Sequence, residues 1–249
     1  MFIDTHCHIY EEYYDNIDEV INESKKLNVI KYINNGCDSK SNKEVIETIN
    51  KYNEVYGAIG IHPESVDKYT QDDINFLSDN IDSPKIIAIG EIGLDYYYTK
   101  ENKEAQIKLF KEQLNIAQEC NKPVIIHSRE ATEDTLNILK EYNLRGVIHS
   151  FSGSYEIAKE YIKMGYLIGI NGIVTFKNCK LKEILKKIPI ENIVLETDSP
   201  YLTPVPYRGQ KNIPGNVKYI AEYVADLYGI SPEELANITN NNVARVFDI

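Results

Sequence analysis

The sequence predicts an α/β protein, a (β/α)8 TIM barrel, on three observations. Eight short apolar segments recur along the 249 residues, longer amphipathic segments separate them, and several of the eight are apolar almost throughout. Strands that are buried on both faces of a parallel sheet have this continuous apolar character. Strands that alternate with helices over about 250 residues are typical of a closed barrel. We expect one domain spanning residues 1–249.

The eight segments and the helices between them can be placed along the chain. The predicted strands are 2–6, 29–35, 55–60, 85–91, 123–128, 146–150, 166–171 and 192–198. Apolar residues with helical spacing occupy 107–117, 157–162 and 217–224, and Ser231-Pro232 is typical of a helix start. A doubly wound open sheet is the alternative fold, but no G-x-G-x-x-G pattern follows the first strand.

Composition limits the classes of function. The formal net charge is −11, from 27 basic and 38 acidic side chains, which argues against a broad basic surface for nucleic acid. No apolar run reaches the ~18 residues of a membrane span, and the N-terminus lacks the pattern of a secretory signal. The four cysteines form no C-x-x-C pair and predict free thiols in a reducing cytoplasm. We expect a cytoplasmic protein with no membrane contact and no obligate protein partner.

Histidines and carboxylates gather at the predicted strand ends. His6 and His8 are two residues apart, so on a strand their side chains share one face. Taken alone, this pair also fits ordinary polar residues at the end of a strand. The C-terminal ends of barrel strands are, however, where such folds build their active sites. Six side chains have this position: His6, His8, Glu91, His127, His149 and Asp198.

These six residues, all histidines or carboxylates, point to a metal centre with catalytic chemistry. A structural zinc site closes with four ligands, so six ligands suit two metal ions with open positions. Glu91 is the candidate bridge, because a carboxylate can give one oxygen to each ion. Asp198 could bind one ion and accept a proton from a bound water. We expect two divalent ions per chain, zinc, manganese or magnesium, with Glu91 and Asp198 as catalytic residues.

Short motifs spread over almost the whole chain carry a family resemblance. They are IDTHCH (3–8), GIHP (60–63), GEIGLDYY (90–97), PVIIHSREA (123–131), HSFSG (149–153), LETDSPYL (195–202), PVPYRG (204–209) and NNVARVF (241–247). Together they resemble the TatD-type metal-dependent deoxyribonucleases of the amidohydrolase superfamily. The resemblance implies a barrel that binds two divalent metals and hydrolyses DNA. It also implies that one metal is bound by His6, His8, Glu91 and Asp198, and the other by Glu91, His127 and His149.

Three positions depart from the family pattern, and none is a predicted metal ligand. Ser150 stands where the family commonly has cysteine, and Tyr207 where it commonly has histidine before the R-G pair. Ile213 precedes Pro214 where the family often has glutamate. The last two lie in a loop that we expect at the rim of the substrate cleft, so they affect specificity more than chemistry.

Three further residues are candidates for substrate binding. Arg129 follows His127 by two positions and could hold a phosphate oxygen with its guanidinium, or form an internal salt bridge instead. His62 could donate to a phosphate or serve a turn before Pro63. Arg208, after the last strand, is a further phosphate candidate.

Residues after Glu91 have other expected roles. Asp95 could orient a metal ligand. Tyr96, Tyr97 and Tyr98 could stack on bases or simply pack at the barrel rim.

The function expected from these features is metal-dependent hydrolysis with a metal-activated water. The resemblance implies a DNA substrate, with 3′–5′ exonuclease preference for single strands or 3′ ends. The alternative is a binuclear hydrolase of an ester, lactone or amide, including an aminoacyl-tRNA ester, because one fold supports many substrates. A non-catalytic, metal-stabilised binding protein is the third possibility, and it has no positive support in the sequence.

Overall fold

Eight parallel strands form one sheet in the order β1 to β8, in a computed structural model that describes residues 1–97 and 101–249. Each strand pairs with the next along the chain, and the TIM barrel prediction is confirmed. Tyr98 lies outside the described residues. The strands are β1 (Phe2–Cys7), β2 (Val29–Asn35), β3 (Val55–Ile59), β4 (Ile86–Asp95), β5 (Val124–Arg129), β6 (Gly146–Ile148), β7 (Tyr166–Ile170) and β8 (Ile193–Leu195).

Helices alternate with these strands, as the amphipathic segments predict. Ser231 begins the last one: its hydroxyl accepts a hydrogen bond from the Glu234 N–H, and Pro232 occupies the first helical position. No helix in the described ranges combines the length and the apolar composition needed to cross a membrane. The α-helices are α1 (Ile17–Lys26), α2 (Ser39–Lys51), α3 (Gln71–Asn80), α4 (Lys103–Glu119), α5 (Thr132–Leu139), α6 (Tyr155–Lys163), α7 (Leu181–Leu185), α8 (Val217–Tyr228) and α9 (Pro232–Phe247).

The segment after β8 closes the barrel against β1. The Asp198 N–H donates to the His6 carbonyl at 2.8 Å, and the His8 N–H donates to the Ser199 carbonyl at 2.8 Å. The fully buried Asp4 carboxylate accepts from the Thr197 N–H at 2.9 Å and from its hydroxyl at 2.6 Å. These bonds join the two ends of the sheet.

Apolar side chains fill one end of the barrel and leave the other end to polar groups. One buried cluster takes one or two residues from every strand, from Ile3 in β1 to Val194 in β8. Inward-facing side chains, contributed to each layer by alternate strands, fill the interior of such barrels. Val243, Val246 and Phe247 of α9 pack against this layer. A larger cluster lies between the sheet and its helices.

Three strands end two or more residues away from their predicted ends. β4 continues to Asp95 instead of ending at Glu91, because Gly93 lets it approach β5 closely: a Cβ there would lie 1.9 Å from the His127 carbonyl oxygen. β6 and β8 end early, at Ile148 and Leu195. His149 and Asp198 therefore follow their strands rather than end them.

Candidate metal centre

The predicted ligands converge at the C-terminal ends of the strands, where the barrel opens into a cavity of about 740 Å³. The parallel strands place their carboxyl ends side by side, so residues far apart in sequence meet there. His6 lies just behind the cavity wall and is fully buried. The other five predicted ligands line the cavity: His8, Glu91, His127, His149 and Asp198.

Glu91 occupies the middle of this group, and its two oxygens face different histidines. Oε2 lies 3.2 Å from His6 Nε2 and 3.9 Å from His8 Nε2. Oε1 lies 2.8 Å from His127 Nδ1 and 3.7 Å from His149 Nε2. A carboxylate in this position can give one oxygen to each of two ions, which is what a bridging ligand requires.

Asp198 completes the side of the centre formed by β1. Its Oδ1 lies 3.4 Å from His8 Nε2, 3.7 Å from His6 Nε2 and 3.7 Å from His149 Nε2. The residue has a left-handed backbone conformation, with φ of 57°, which its hydrogen bond to the His6 carbonyl helps to hold. Asp198 therefore faces both groups of histidines.

Partners behind the histidines orient their rings. His8 Nδ1 donates to the Asn35 carbonyl at 3.0 Å, which leaves Nε2 available towards the carboxylates. His127 Nε2 lies 3.0 Å from Asp95 Oδ2, so Asp95 has the predicted orienting position. Outer partners of this kind fix the tautomer of a metal-binding imidazole and strengthen it as a ligand.

Glu196 lies behind His149 as Asp95 lies behind His127. The sequence analysis did not identify Glu196 as a functional residue. Its Oε1 lies 3.0 Å from His149 Nδ1 and accepts the Ser150 N–H at 2.7 Å. Gly169 makes room for it, because a Cβ there would lie 2.5 Å from Glu196 Oε2. A signal was available: Glu196 is two residues before Asp198, the spacing that places two side chains of an extended segment on one face.

Charges inside the centre stabilise one another. Burial alone would raise the pKa of Glu91, but His149, His6 and His62 hold that pKa well below its usual range. Burial alone would lower the pKa of His149, but the carboxylates of Glu196, Glu91 and Asp198 raise it to about 10. The carboxylates thus favour a proton on His149, whereas burial and a neighbouring histidine lower the pKa of His6 and of His62. A divalent cation can take the place of a proton held in this way. The imidazole nitrogens and carboxylate oxygens suit zinc or manganese.

The candidate substrate residues have three different environments. His62 lies at the centre, with Nε2 3.7 Å from Glu91 Oε1, and it also begins a short 3₁₀ turn by accepting the Glu64 N–H at 3.2 Å. Arg129 ends β5 and lines the cavity, with its guanidinium 3.8 Å from the centre of the Tyr97 ring. Arg208 lies over Phe176 at 4.0 Å and is not among the described residues that line the cavity.

The three departures from the family pattern also differ in place. Ser150 lines the cavity, and its hydroxyl accepts from the Asn171 amide at 2.7 Å. Tyr207 is exposed, with its hydroxyl 3.2 Å from that of Tyr219. Ile213 precedes the 3₁₀ turn Pro214–Asn216. Of the three, only Ser150 is among the described cavity-lining residues.

Comparison with known proteins agrees with this architecture. The family model of the TatD-related DNases matches residues 3–248. The chain is 42% identical to the uncharacterized metal-dependent hydrolase YabD of Bacillus subtilis, with all of both chains covered. It is 37% identical to the uncharacterized metal-dependent hydrolase YcfH of Escherichia coli K12, over 99% of this chain and 96% of the relative.

A solved structure extends the agreement to three dimensions. The crystal structure of YjjV, a TatD homologue from Escherichia coli K12, matches with a TM-score of 0.93 at 28% sequence identity. The match covers 100% of this chain and 98% of YjjV. Sequence and fold thus point to the same group, and the chain belongs to the TatD-related DNase family of metal-dependent hydrolases.

Proposed function

We propose that this protein hydrolyses DNA phosphodiester bonds at a centre of two divalent ions, removing nucleotides from single-stranded 3′ ends. The observation that carries the proposal is the orientation of Glu91. Its Oε2 faces His6 and His8, and its Oε1 faces His127 and His149. His6, His8, Glu91 and Asp198 would hold one ion, and Glu91, His127 and His149 would hold the other.

The residues around the centre have distinct tasks in this reaction. When bound, two ions would supply an acidified water and positive charge for the transition state of phosphoryl transfer. Asp198, whose Oδ1 lies 3.4 Å from His8 Nε2, would act as the general base that accepts a proton from the attacking water. Arg129, on the cavity wall, holds a non-bridging phosphate oxygen with its guanidinium.

The charge of the cavity supports a terminal single strand over a long duplex. Besides the predicted ligands, four carboxylates line the cavity, and the described cations there are Lys40 and Arg129. Lys40 itself pairs with Glu12 at 3.0 Å. A long run of phosphates is therefore repelled, and one phosphate near the metals is not. The four carboxylates are Glu12, Asp38, Glu44 and Glu64.

The same acidic lining favours the second candidate function. A neutral ester, lactone or amide, or an aminoacyl-tRNA ester, meets no electrostatic penalty from these carboxylates until its charged parts enter the cavity. The metal chemistry needed for such a substrate is the same, since an activated water attacks carbon instead of phosphorus.

One assay separates the two functions. A 5′-labelled single strand and its blunt duplex are incubated with Mg²⁺, Mn²⁺ or Zn²⁺ over a series of salt concentrations, beside ester and lactone substrates. The expected result is a ladder of labelled products that shortens stepwise and is lost with chelator or in Glu91→Gln. Its salt dependence is shallow, because few phosphates are neutralised. Metal-dependent ester or lactone hydrolysis without phosphodiester cleavage would establish the second function instead.

A further inference from the structure

A thiol that the metal-ligand prediction did not include lies beside the bridging carboxylate. Cys37 is in the turn between β2 and α2 and lines the same cavity. Its Sγ lies 3.9 Å from Glu91 Oε2. The same Sγ lies 3.9 Å from His8 Nδ1, the ring nitrogen that donates to the Asn35 carbonyl. Cys37, His8 and Glu91 offer ligand atoms that all lie within 4.8 Å of one another.

The backbone holds this thiol in place on both sides. The Cys37 N–H donates to the Ser41 hydroxyl at 2.9 Å, and the Cys37 carbonyl accepts the His62 N–H at 2.8 Å. The preceding Gly36 carbonyl accepts the N–H of Glu91 itself at 2.9 Å. The segment that carries the thiol is thus bonded directly to the strand residue that carries the bridging carboxylate.

The spacing between thiol and carboxylate suits two ligands of one ion. Zinc binds sulfur at about 2.3 Å and carboxylate oxygen at about 2.0–2.2 Å, so two such ligands are never further apart than about 4.5 Å. The observed 3.9 Å corresponds to an S–Zn–O angle of roughly 125°, between tetrahedral and wider five-coordinate values. The oxygen concerned, Oε2, is the one that faces His6 and His8.

We propose that Cys37 is a further ligand of the ion held by His6, His8 and Asp198, and that its sulfur makes this position selective for zinc. On binding, the thiol loses its proton to solvent and a sulfur–metal bond forms. Soft thiolates favour zinc, whereas magnesium and manganese prefer oxygen ligands. The position formed by His127 and His149 has no described thiol in its ligand group and stays open to manganese. The inference rests on the metal-binding part of the proposed function.

Cobalt titration of the metal-free protein tests this directly. Co²⁺ replaces zinc and gives a near-ultraviolet charge-transfer band only when a thiolate binds it. In the wild type we expect the band to grow until one equivalent of Co²⁺ is bound. Cys37→Ser should lose the band, and Cys120→Ser, the matched control, should keep it. Cys120 follows the C-terminal end of α4, at the opposite end of the barrel.

Metal affinity gives a second readout. Cys37→Ser should weaken Zn²⁺ binding at least about tenfold, the loss that even outer partners of metal ligands cause. Mn²⁺ binding should be unchanged within error. A wild type without the band, or a variant with the full band, would refute the ligand role.

If Cys37→Ser and Cys37→Ala both fail to fold, the wild-type protein alone can still test whether Cys37 binds the metal. Peptide mass spectrometry then measures alkylation of each cysteine with and without Co²⁺. Protection of Cys37 but not of Cys120 supports the inference, and equal alkylation of Cys37 overturns it. DNA cleavage is scored separately. If DNA is cleaved but no thiolate band appears, Cys37 is not a metal ligand and the proposed function stands. If the band appears but DNA is not cleaved, Cys37 is a metal ligand and the proposed nuclease function is wrong.

Discussion

Replacing Glu91 by glutamine should dismantle the metal centre while keeping the shape of the side chain. The amide retains one oxygen but places an NH₂ group where the second oxygen was. In the structure those two oxygens face separate groups, His6 with His8 and His127 with His149. One ion therefore loses a ligand outright, and the centre loses one negative charge.

The size of the effect follows from that geometry. Loss of a residue behind a metal ligand already costs about 10–100-fold in affinity. Loss of a ligand should cost at least about 100-fold for one ion, or about 2.8 kcal/mol of binding free energy. We expect bound metal to fall from two ions per chain to one or fewer, and hydrolysis to fall below detection at micromolar metal.

Elemental analysis after gel filtration measures the metal content, and circular dichroism checks that the variant is folded. Glu64→Gln is the matched control, because this carboxylate lines the same cavity but belongs to none of the metal-type groups among the described residues. It should retain two ions. If folded Glu91→Gln also retains two ions, Glu91 is not the bridge and the assignment of ligands is wrong.

Three further predictions concern Asp198, Glu196 and the buried Tyr166. Asp198→Asn should lower single-turnover rates about 10²–10⁴-fold at saturating metal, and a loss of only a few-fold would exclude a role as base. Glu196→Gln should weaken the ion beside His149 about 10–100-fold without changing the fold, and isothermal titration with unchanged affinity would contradict this. Burial raises the pKa of Tyr166, so the folded protein keeps this proton above pH 10 while the unfolded chain loses it. Between pH 10 and 11 the wild type should therefore lose about 1 kcal/mol more stability than Tyr166→Phe in urea unfolding, and parallel losses would refute it.

The sequence locates all eight strands because each contains a short apolar segment that is largely buried. Its errors fall at strand ends, where tertiary contacts decide. β4 runs on to Asp95 because Gly93 permits close pairing with β5, and no local pattern encodes that approach. β8 ends at Leu195 because Thr197 turns to bond with Asp4 on the far side of the barrel seam.

The ligand set could be predicted because strand ends in a parallel barrel must meet. The residues that surround the ligands could not be predicted, because their positions depend on how closely segments far apart in sequence approach one another. Cys37 is held beside the centre by backbone bonds between distant segments, such as that between Gly36 and Glu91. Glu196 reaches His149 only because Gly169 leaves space opposite.

The bonds that join β1 to the segment after β8 also determine when the metal centre can form during synthesis. Asp198 is made about 190 residues after His6 and His8, which at 5–20 residues per second is roughly 10–40 s. Until then Asp4 has no Thr197 to bond with, and the barrel cannot close. A nascent chain therefore carries a pair of histidines and no assembled hydrolytic centre. Closure of the barrel and assembly of the metal centre therefore depend on one step, the synthesis of the segment after β8.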